Sequence, residues 1–300
     1  MSARFFAVVN PAAGGGRCGK LAGPALARLR EAGIEIEVAE SSVPGHATEL
    51  ARAAHARGYR HFLAVGGDGT AFEIVNGLFP RREEDGRPTL AFLPLGTGNS
   101  FLRDFTARGA AHAADVLLAA HPRPCDVIHL THRNGDLYFI NLLTLGFAAD
   151  VAAVTNRRFK RLGQLGYILG VLTCLARLNR RAFPLRLDGA GGLDRRRCLF
   201  LAFSNSKFTG GKMMIAPKAD PADGFIEFVH WGPIGRLGLL YNFPALFDGT
   251  HITHPMASRA AARRIDFELG GPVDVMIDGE SLRLECLSLE VLPAALDVLV

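Results

Sequence analysis

Three glycines and one carboxylate stand together in the segment Gly66–Thr70, of sequence GGDGT. The segment follows the apolar run Phe62–Val65 and precedes a helical pattern over Ala71–Gly77. Glycines let the backbone approach a bulky anion and turn its N–H groups toward it, and the positive end of the following helix adds to the attraction. The pattern predicts a phosphate-binding loop with Asp68 as an acid beside it. The alternative is a plain turn with Thr70 as N-cap.

Two more glycine-rich loops follow predicted strands. Asn10–Gly16 comes after the strand Arg4–Val9, and Pro94–Asn99 comes after the strand Leu90–Leu93. Each loop alone is equally compatible with an ordinary turn between a strand and a helix. Because ligands bind beyond the carboxyl ends of parallel strands, three such loops at one sheet edge predict a single phosphate site.

The elements that must position these loops alternate between strands and helices. The predicted strands are Arg4–Val9, Ile34–Ala39, His61–Val65 and Leu90–Leu93, and the predicted helices are Leu21–Ala32, Ala47–Arg57 and Ala71–Leu78. Repeated strand–loop–helix units predict a doubly wound parallel sheet with helices on both faces. The fold class is therefore α/β in this part, which we expect to span residues 1–123.

Beyond Pro122–Pro124 the pattern changes, and residues 124–300 are expected to form a second domain. Turns separate most of its predicted strands, which are Val127–Leu130, Leu137–Ile140, Cys198–Ser204, Phe225–His230, Arg264–Leu269, Val273–Ile277 and Leu287–Leu292. This spacing predicts an antiparallel all-β sandwich. One helical insertion, over about Ala152–Arg181, interrupts it, and the last residues of the chain can return to the first domain.

Composition narrows the functional classes. The chain has 300 residues, of which 49% are hydrophobic and 21% charged, and a net charge of +5. This charge favours anionic partners such as nucleotides or a lipid surface, and it is too small to indicate nucleic acid. The five cysteines have no metal-ligand spacing, which indicates free thiols in a reducing cytosol. The longest apolar stretch, Leu165–Leu178, is too short to span a bilayer, so we expect a cytoplasmic or peripheral protein.

These motifs, in this order, resemble the diacylglycerol kinase catalytic-domain superfamily, which includes bacterial lipid kinases and sphingosine kinases. The resemblance covers nearly the whole chain. It rests on the segments Asn10–Gly16, Gly66–Thr70, Pro94–Asn99, Gly210–Pro217, Ala219–Gly224, Asp278–Glu280, Val291–Pro293 and Leu296–Val300. By this resemblance the first domain is similar to those of NAD kinases and phosphofructokinases, and the second is a lipid-binding sandwich.

The resemblance implies an enzyme that transfers the γ-phosphate of ATP to a lipid hydroxyl, with a diacylglycerol or sphingoid-type acceptor. The implied nucleotide contacts are Asn10, Pro11, Ala12, Ala13, Gly14, Ser41, Gly66, Gly67, Asp68, Gly69, Thr70, Ala71, Phe72 and Thr97. A positioned carboxylate must take the proton of a poorly nucleophilic hydroxyl. The implied catalytic acids are Asp68, Asp278 and Glu280, and the sequence does not rank them. For the last two, a simple hairpin turn is the alternative.

Magnesium is expected in two places. Mg²⁺ would offset phosphate charge, with Asp68 placed to help hold it. The resemblance also implies a structural Mg²⁺ bound by Asp220, Asp223 and the carbonyl of Phe225. An Asp-Pro-x-Asp-Gly turn without metal explains the same residues equally well.

The acceptor side is less explicit. The resemblance implies substrate contacts from Asp150, Glu73 and Ser100. Four basic residues precede an apolar helical run and could face an anionic membrane; they are Arg157, Arg158, Lys160 and Arg161, and the run carries Leu165, Ile168, Leu169, Leu172 and Leu175. A buried helix with a solvated basic end is the alternative. The expected partners are a lipid and an anionic membrane surface at the inner face of the membrane, with a homodimer left open.

Two residues depart from the pattern of many diacylglycerol-kinase-type members. Ser100 stands where many have Asp, and Phe72 stands where many have Asn. The loss of an acid at 100 puts diacylglycerol as the acceptor in doubt and is closer to the sphingoid-type pattern. The rival functions are an NAD kinase, which shares the Gly-Gly-Asp-Gly loop, and a non-catalytic lipid-binding regulator on the same scaffold.

Overall fold

The computed structural model describes residues 4–81, 85–106, 108–159 and 163–300. Its strands are β1 (Arg4–Val9), β2 (Glu35–Glu40), β3 (His61–Gly66), β4 (Thr89–Pro94), β5 (Arg123–His132), β6 (Gly135–Phe139), β7 (Leu142–Gly146), β8 (Leu185–Leu187), β9 (Ala190–Asp194), β10 (Phe200–Ser204), β11 (Phe208–Thr209), β12 (Met213–Met214), β13 (Ile226–Trp231), β14 (Ala257–Ala262), β15 (Arg264–Phe267), β16 (Val273–Ile277), β17 (Glu280–Leu284) and β18 (Cys286–Leu299).

The helices are α1 (Arg17–Glu31), α2 (His46–Ala56), α3 (Asp68–Leu78), α4 (Ala110–Ala119), α5 (Phe147–Val154), α6 (Gly163–Ala176), α7 (Arg236–Asn242) and α8 (Ala245–Asp248). Short 3₁₀ turns occur at Phe101–Asp104 and Thr250–Thr253, and a π-helical turn at Thr155–Phe159. Among the described residues, no helix combines the length and the apolar composition needed to cross a membrane.

The chain divides into two compact units. The first holds Met1–Val127, Tyr138–Ile140 and Pro293–Val300, and the second holds Ile128–Leu137 and Asn141–Leu292. The long strand β18 belongs to the second unit in its first part and to the first unit in its last part.

The first unit is built on a parallel sheet with the order β2-β1-β3-β4, extended by the last residues of β18. Alternate residues of β1 point to opposite faces, as strand geometry requires. Phe5 and Val9 pack in a core with Leu26 of α1 and Leu117 of α4. On the other face, Phe62 of β3 lies 6.4 Å from the ring of His55 in α2. The predicted doubly wound α/β fold is confirmed.

The second unit contains two large antiparallel sheets and the two-stranded sheet β11-β12. One large sheet has the order β14-β13-β10-β7-β16-β17. In the other, the first part of β18 pairs with β15, β15 pairs with β8, and β8 pairs with β9. The rings of Phe203 in β10 and Phe267 in β15 lie 5.3 Å apart between the sheets. Phe200 and Trp231 point the other way and pack with Leu239 and Leu246 of α7 and α8. The predicted sandwich is confirmed, and helices cover one of its outer faces.

Several predicted bounds were wrong. The helix expected from Ala71 begins at Asp68, and the helix expected from Leu21 begins at Arg17. The single insertion expected over Ala152–Arg181 is divided into α5, a π-helical turn and α6. The segment between β13 and β14, for which sequence analysis predicted no helix, contains α7 and α8. Their apolar residues are separated by glycine and proline, so no long helical period was visible in the sequence.

A buried histidine in β13 makes the stability of this fold sensitive to acid. His230 is 4% exposed, and burial lowers the pKa of its ring because a charged imidazolium is poorly solvated there. At a pH below about 6.5, the pKa of histidine in the unfolded chain, His230 binds a proton in the unfolded chain but stays neutral in the folded chain. The stability associated with neutral His230 is therefore present above that pH and is lost as the pH falls.

We expect the change His230→Leu to reduce this acid sensitivity. Between pH 7.5 and pH 5.5 the wild type should lose more unfolding free energy than the variant, by at most about 1.4 kcal/mol, because only the single pH unit below the unfolded pKa contributes. Urea unfolding of both proteins at the two pH values measures this. Equal losses in the two proteins would contradict it.

Candidate active site

Three loops of the first unit meet at the carboxyl edge of its parallel sheet. The N–H of Asn10 donates to the carbonyl of Val65 at 3.0 Å, and the N–H of Gly96 donates to the carbonyl of Gly66 at 2.7 Å. Arg17 Nη2 donates to the carbonyl of Gly96 at 3.1 Å. The three glycine-rich loops found in the sequence are therefore joined by hydrogen bonds.

Glycine is required where the loops touch. A Cβ on Gly96 would lie 2.4 Å from the Cα of Gly67, and a Cβ on Gly14 would lie 2.7 Å from the carbonyl oxygen of Leu95. Real Cβ atoms do not come so close to backbone atoms, so only glycine lets the three loops pack together. This packing forms a rigid backbone surface at the sheet edge.

The first loop presents its backbone outward. Gly14, Gly15 and Gly16 have φ angles of 63°, 68° and 87°, a run in the left-handed region that favours glycine. A Cβ on Gly15 or Gly16 would meet no atom within 4 Å, so these residues face open space. Within the described part of the chain, no hydrogen bond from the N–H groups of Gly14 and Gly15 is found. Successive backbone N–H groups without such a bond can bind an anion.

Asp68 is the first residue of α3, and its carboxylate holds the third loop. Oδ2 accepts the N–H of Ser100 at 2.9 Å, and Oδ1 accepts the N–H of Phe101 at 3.3 Å. Burial raises the pKa of this carboxyl group, while the N–H groups that it accepts lower it in part. Asp68 is thus a direct neighbour of Ser100, the residue that stands where many members of the family have Asp, and no sequence pattern indicated this contact.

The next residues of α3 face the core. Thr70, Ala71 and Phe72 are 2%, 3% and 7% exposed. The Thr70 hydroxyl lies where a Cβ on Gly66 would stand, which explains the glycine at 66. Any contact of these three residues with a nucleotide would have to come from the backbone of this first helical turn.

Glu73 and Asn76, on the same helix, bind other parts of the first unit. Glu73 Oε2 accepts the N–H of Ala47 at 3.0 Å and so caps the N-terminus of α2. The side-chain amide of Asn76 is bonded in both directions to the backbone of Tyr138, at 2.8 and 2.9 Å. Glu73 as a substrate contact stays a prediction, and its observed bond is structural.

The remaining predicted nucleotide contacts lie at the ends of β1, β2 and β4. Asn10 Oδ1 accepts the N–H of Ala12 at 3.1 Å and shapes the first loop, which also contains Pro11 and Ala13. The N–H of Ser41 donates to the carbonyl of Val9, the last residue of the neighbouring strand, at 2.8 Å. Thr97 is exposed on the third loop, between Gly96 and Gly98.

In the second unit, the Asp278–Glu280 motif is the predicted hairpin turn between β16 and β17. Asp278 and Gly279 have φ angles of 47° and 89°, as in a type I′ turn. Asp278 is 2% exposed, and its Oδ1 accepts the N–H groups of Asn141 and Leu142 at 3.1 and 2.9 Å. Glu280 is exposed. The two acids therefore differ: Asp278 fixes the backbone at the start of β7, and Glu280 presents its side chain to solvent.

The predicted lipid contact Asp150 is the acid of a half-buried ion pair. Arg181 Nη2 lies 2.5 Å from Asp150 Oδ1. Burial raises the pKa of Asp150, and the guanidinium of Arg181 lowers it in part. Sequence analysis missed this partner because it lies 31 residues away. A contact of Asp150 with the acceptor stays a prediction, and such a contact would have to compete with Arg181.

Part of the predicted membrane-facing surface of the insertion can be described. Arg157 forms an ion pair with Asp274 at 2.5 Å, so it is not simply a solvated charge. Leu172 is 54% exposed, whereas Leu175 packs on the core that contains Trp231. Arg158 contributes to the last turn of the π-helical segment, and Leu169 is half-buried. Lys160 and Arg161 lie outside the described residues, as do the side chains of Leu165 and Ile168.

The predicted magnesium loop has the hydrogen bonds of a turn. Asp220 Oδ1 accepts the N–H of Ala222 at 3.0 Å, and Asp223 Oδ1 accepts the N–H of Phe225 at 2.9 Å. Both carboxylates bond the residue two positions ahead, as Asx turns do. Within the described ranges, no group of three or more His, Cys, Asp or Glu side chains could hold a metal.

The first unit fits a nucleotide better than a dedicated metal cage. The backbone N–H groups of Gly14 and Gly15 and the N-terminus of α3, here termed the phosphate cradle, are the kind of groups that bind phosphate oxygens. Mg²⁺ in kinase sites is commonly held by one or two carboxylates together with the substrate phosphates and waters. A lone Asp68 at the cradle is compatible with this arrangement and does not require further protein ligands.

Comparison with known proteins agrees with this geometry. Residues 4–130 match the diacylglycerol kinase catalytic domain, and residues 141–300 match the YegS C-terminal NAD kinase beta sandwich-like domain. The chain is 30% identical over 296 residues to "Diacylglycerol kinase" of Mycobacterium tuberculosis, covering 98% of this chain and 94% of that protein. It is 33% identical over 279 residues to "Probable lipid kinase YegS-like" of Pseudomonas aeruginosa, covering 91% and 87%.

A solved structure supports the same assignment. The chain matches a "putative diacylglycerol kinase" from Bacillus anthracis with a TM-score of 0.76 and 26% sequence identity, over 99% of this chain and 94% of that one. The similarity therefore extends over both units, in sequence and in fold. The chain belongs to the diacylglycerol kinase family of lipid kinases.

Proposed function

We propose that this protein transfers the γ-phosphoryl group of ATP to the hydroxyl of a lipid, with diacylglycerol or a sphingoid-type lipid as the acceptor. The observation that carries the proposal is the close packing of the three loops at the sheet edge, where a Cβ on Gly96 would stand 2.4 Å from the Cα of Gly67 and a Cβ on Gly14 would stand 2.7 Å from the carbonyl oxygen of Leu95. Such a bare backbone surface beside a helix N-terminus suits a chain of phosphates.

The chain's own groups supply binding and positioning. The N–H groups of Gly14 and Gly15 in the first loop and the N-terminus of α3 would bind the phosphate oxygens, as phosphoryl transfer requires. Asp68 would keep the third loop against this cradle through its bonds to Ser100 and Phe101. When bound with the nucleotide, Mg²⁺ supplies positive charge that offsets the phosphates, and Asp68 is the acid of the cradle that could contact it.

We propose Glu280 as the base that takes the proton of the lipid hydroxyl. Glu280 is exposed, whereas Asp278 is buried and accepts two backbone N–H groups with one oxygen. A general base must reach the proton that it abstracts, so an exposed carboxylate suits the role better. Asp278 would then act as a positioning residue for the hairpin that carries Glu280.

A panel of acceptors tests the proposal. The protein is incubated with γ-labelled ATP and Mg²⁺ and with diacylglycerol, monoacylglycerol, a sphingoid base or NAD. We expect label in one of the lipids. Label in NADP alone would show an NAD kinase. Tight lipid binding without any transfer would show a non-catalytic regulator.

Removal of divalent metal separates the two magnesium predictions. We expect EDTA to abolish phosphoryl transfer, because phosphate charge would no longer be offset, and to leave the melting temperature within about 2 °C, because turn hydrogen bonds already fix Asp220 and Asp223. Activity and thermal unfolding are measured in EDTA and after Mg²⁺ is restored. A larger fall in melting temperature that Asp220→Ala removes would show a structural Mg²⁺.

A further inference from the structure

The segment between β13 and β14 in the second unit exposes an unusual amount of apolar surface. The exposed fractions are 82% for Leu237, 58% for Leu240, 86% for Tyr241 and 46% for Phe247. Of the ten large hydrophobic side chains that the described residues expose, five lie between β13 and β14, with Met256 as the fifth. Such clustering is a mark of an interaction surface and not of chance exposure.

These side chains are not a loosely packed part of the core. Leu239 of α7 and Leu246 of α8 are 3% and 6% exposed and already fill the inward positions beside Trp231. Leu237, Leu240 and Tyr241 have the spacing i, i+3, i+4 and share the opposite face of α7. A surface helix normally carries polar residues on that face. Here the helix is apolar both inside and outside.

Basic residues border this apolar face. Arg236 is the only Lys, Arg, Asp or Glu between residues 232 and 247. Its Nη2 donates to the carbonyl of Ala176, at the end of α6, at 2.7 Å. This bond places α7 beside the residues that follow α6, where Arg177 and Arg180 are exposed. Arg236 thus lies on α7 itself, and Arg177 and Arg180 follow within four residues of the carbonyl that it binds. The one acid of α8 is Asp248, its last residue.

The area and charge of this exposed face fit a lipid bilayer better than a protein partner. When each side chain is weighted by its exposed fraction and a whole large side chain is taken as about 150–250 Å², the four together expose about 400–700 Å². This is less than the roughly 800 Å² that each partner buries in a stable protein complex. A bilayer needs no matching partner surface. Apolar side chains enter the acyl boundary, tyrosine lies at the interface, and arginines meet anionic headgroups.

We infer that the face formed by Leu237, Leu240, Tyr241 and Phe247, with Arg177, Arg180 and Arg236 at its border, docks on an anionic lipid bilayer. The inference rests on the proposed function in one respect: an enzyme whose acceptor is a lipid must meet a membrane. It differs from the sequence-based expectation, which placed membrane contact on the basic and apolar run of the helical insertion.

Sedimentation with vesicles tests docking without ATP or acceptor. The full-length protein is mixed with vesicles of phosphatidylcholine containing 30 mol% phosphatidylglycerol, and with vesicles of phosphatidylcholine alone. We expect Leu237→Ser/Tyr241→Ser to bind the anionic vesicles about 10- to 100-fold more weakly than the wild type. The matched control is Leu21→Ser/Leu118→Ser, which changes two leucines of the first unit that are 45% and 54% exposed. The control should bind as the wild type does.

A second pair of changes tests the basic border. Arg177→Gln/Arg180→Gln should weaken binding to the anionic vesicles about 5- to 30-fold and should leave the weak binding to phosphatidylcholine unchanged. Equal vesicle binding by wild type and both double variants would overturn the inference. A shift from dimer to monomer in Leu237→Ser/Tyr241→Ser, with vesicle binding unchanged, would also overturn it, because the face would then be an interface between copies.

Kinase activity on a water-soluble short-chain diacylglycerol, without vesicles, keeps this test separate from the proposed function. Wild type and Leu237→Ser/Tyr241→Ser should transfer label equally, which also shows that the variant is folded. Vesicle binding that depends on Leu237 and Tyr241, without transfer to any acceptor, would support docking and count against the proposed kinase function. If both proteins transfer label and vesicle binding does not depend on these residues, the proposed kinase function is supported and the docking inference is contradicted.

Discussion

The variant Asp68→Asn is expected to lose phosphoryl transfer by about 10²–10⁴-fold in kcat/KM. The carboxylate accepts one N–H with each oxygen, from Ser100 and from Phe101. An amide must direct its NH₂ group toward one of these donors, so that bond is lost and the third loop moves away from the cradle. The variant also lacks the charge that could contact Mg²⁺. We therefore expect weaker ATP binding as well as slower transfer, measured by titration calorimetry and by label transfer.

The matched control for this variant is Asp126→Asn. Asp126 lies in the same unit, is 1% exposed, and its Oδ1 accepts the N–H of Ala294 at 2.7 Å. Both changes weaken a buried carboxylate–backbone bond and should lower the unfolding free energy by about 1–3 kcal/mol. Only Asp68→Asn should lower the activity of the folded protein. Equal activity per folded molecule in both variants would show that Asp68 contributes to stability only and not to phosphoryl transfer.

The second large effect concerns Glu280 and Asp278, which should respond in opposite ways. Glu280→Gln is expected to lower kcat by about 10²–10⁴-fold, because an amide cannot take the proton of the lipid hydroxyl. Its unfolding free energy should stay within about 0.5 kcal/mol, since the side chain is exposed. Label transfer and urea unfolding measure the two quantities.

Changes at Asp278 should alter the unfolding free energy more than the rate of phosphoryl transfer. Asp278→Ala should cost about 2–4 kcal/mol, because alanine is strained at a φ of 47° and two backbone N–H groups lose their acceptor. Asp278→Asn should keep most of the stability and activity, since asparagine tolerates this conformation and its carbonyl oxygen can accept the same bonds. Full activity in Glu280→Gln together with none in Asp278→Asn would reverse the assignment of the base.

The three glycine-rich loops were visible in the sequence because their signals are local. An apolar strand, a run of glycines and a helix start within a few residues, as at Gly66–Thr70, predict a loop without knowledge of its neighbours. The sheet edge followed from the alternation of strands and helices. The family resemblance was carried by the order of these motifs and is borne out by the matches over both units.

The contacts that give the site its shape could not be predicted, because they join distant residues. The bonds of Asp68 to Ser100 and Phe101 cross 32 and 33 positions, and the bonds of Asp278 to Leu142 and Asn141 cross 136 and 137. The exposed face of α7 was missed for another reason. Sequence analysis usually assigns leucine to the hydrophobic core. Only the structure shows that Leu237 and Leu240 are exposed while Leu239 is buried.

The most direct test of the central claim is the fate of γ-labelled phosphate when wild type and Asp68→Asn are each given ATP, Mg²⁺ and vesicles that contain diacylglycerol and a sphingoid base. After chromatography, the account predicts label in a lipid phosphate with the wild type and almost none with the variant. Label that stays in ATP, appears only as inorganic phosphate, or reaches the lipid equally with both proteins would contradict it.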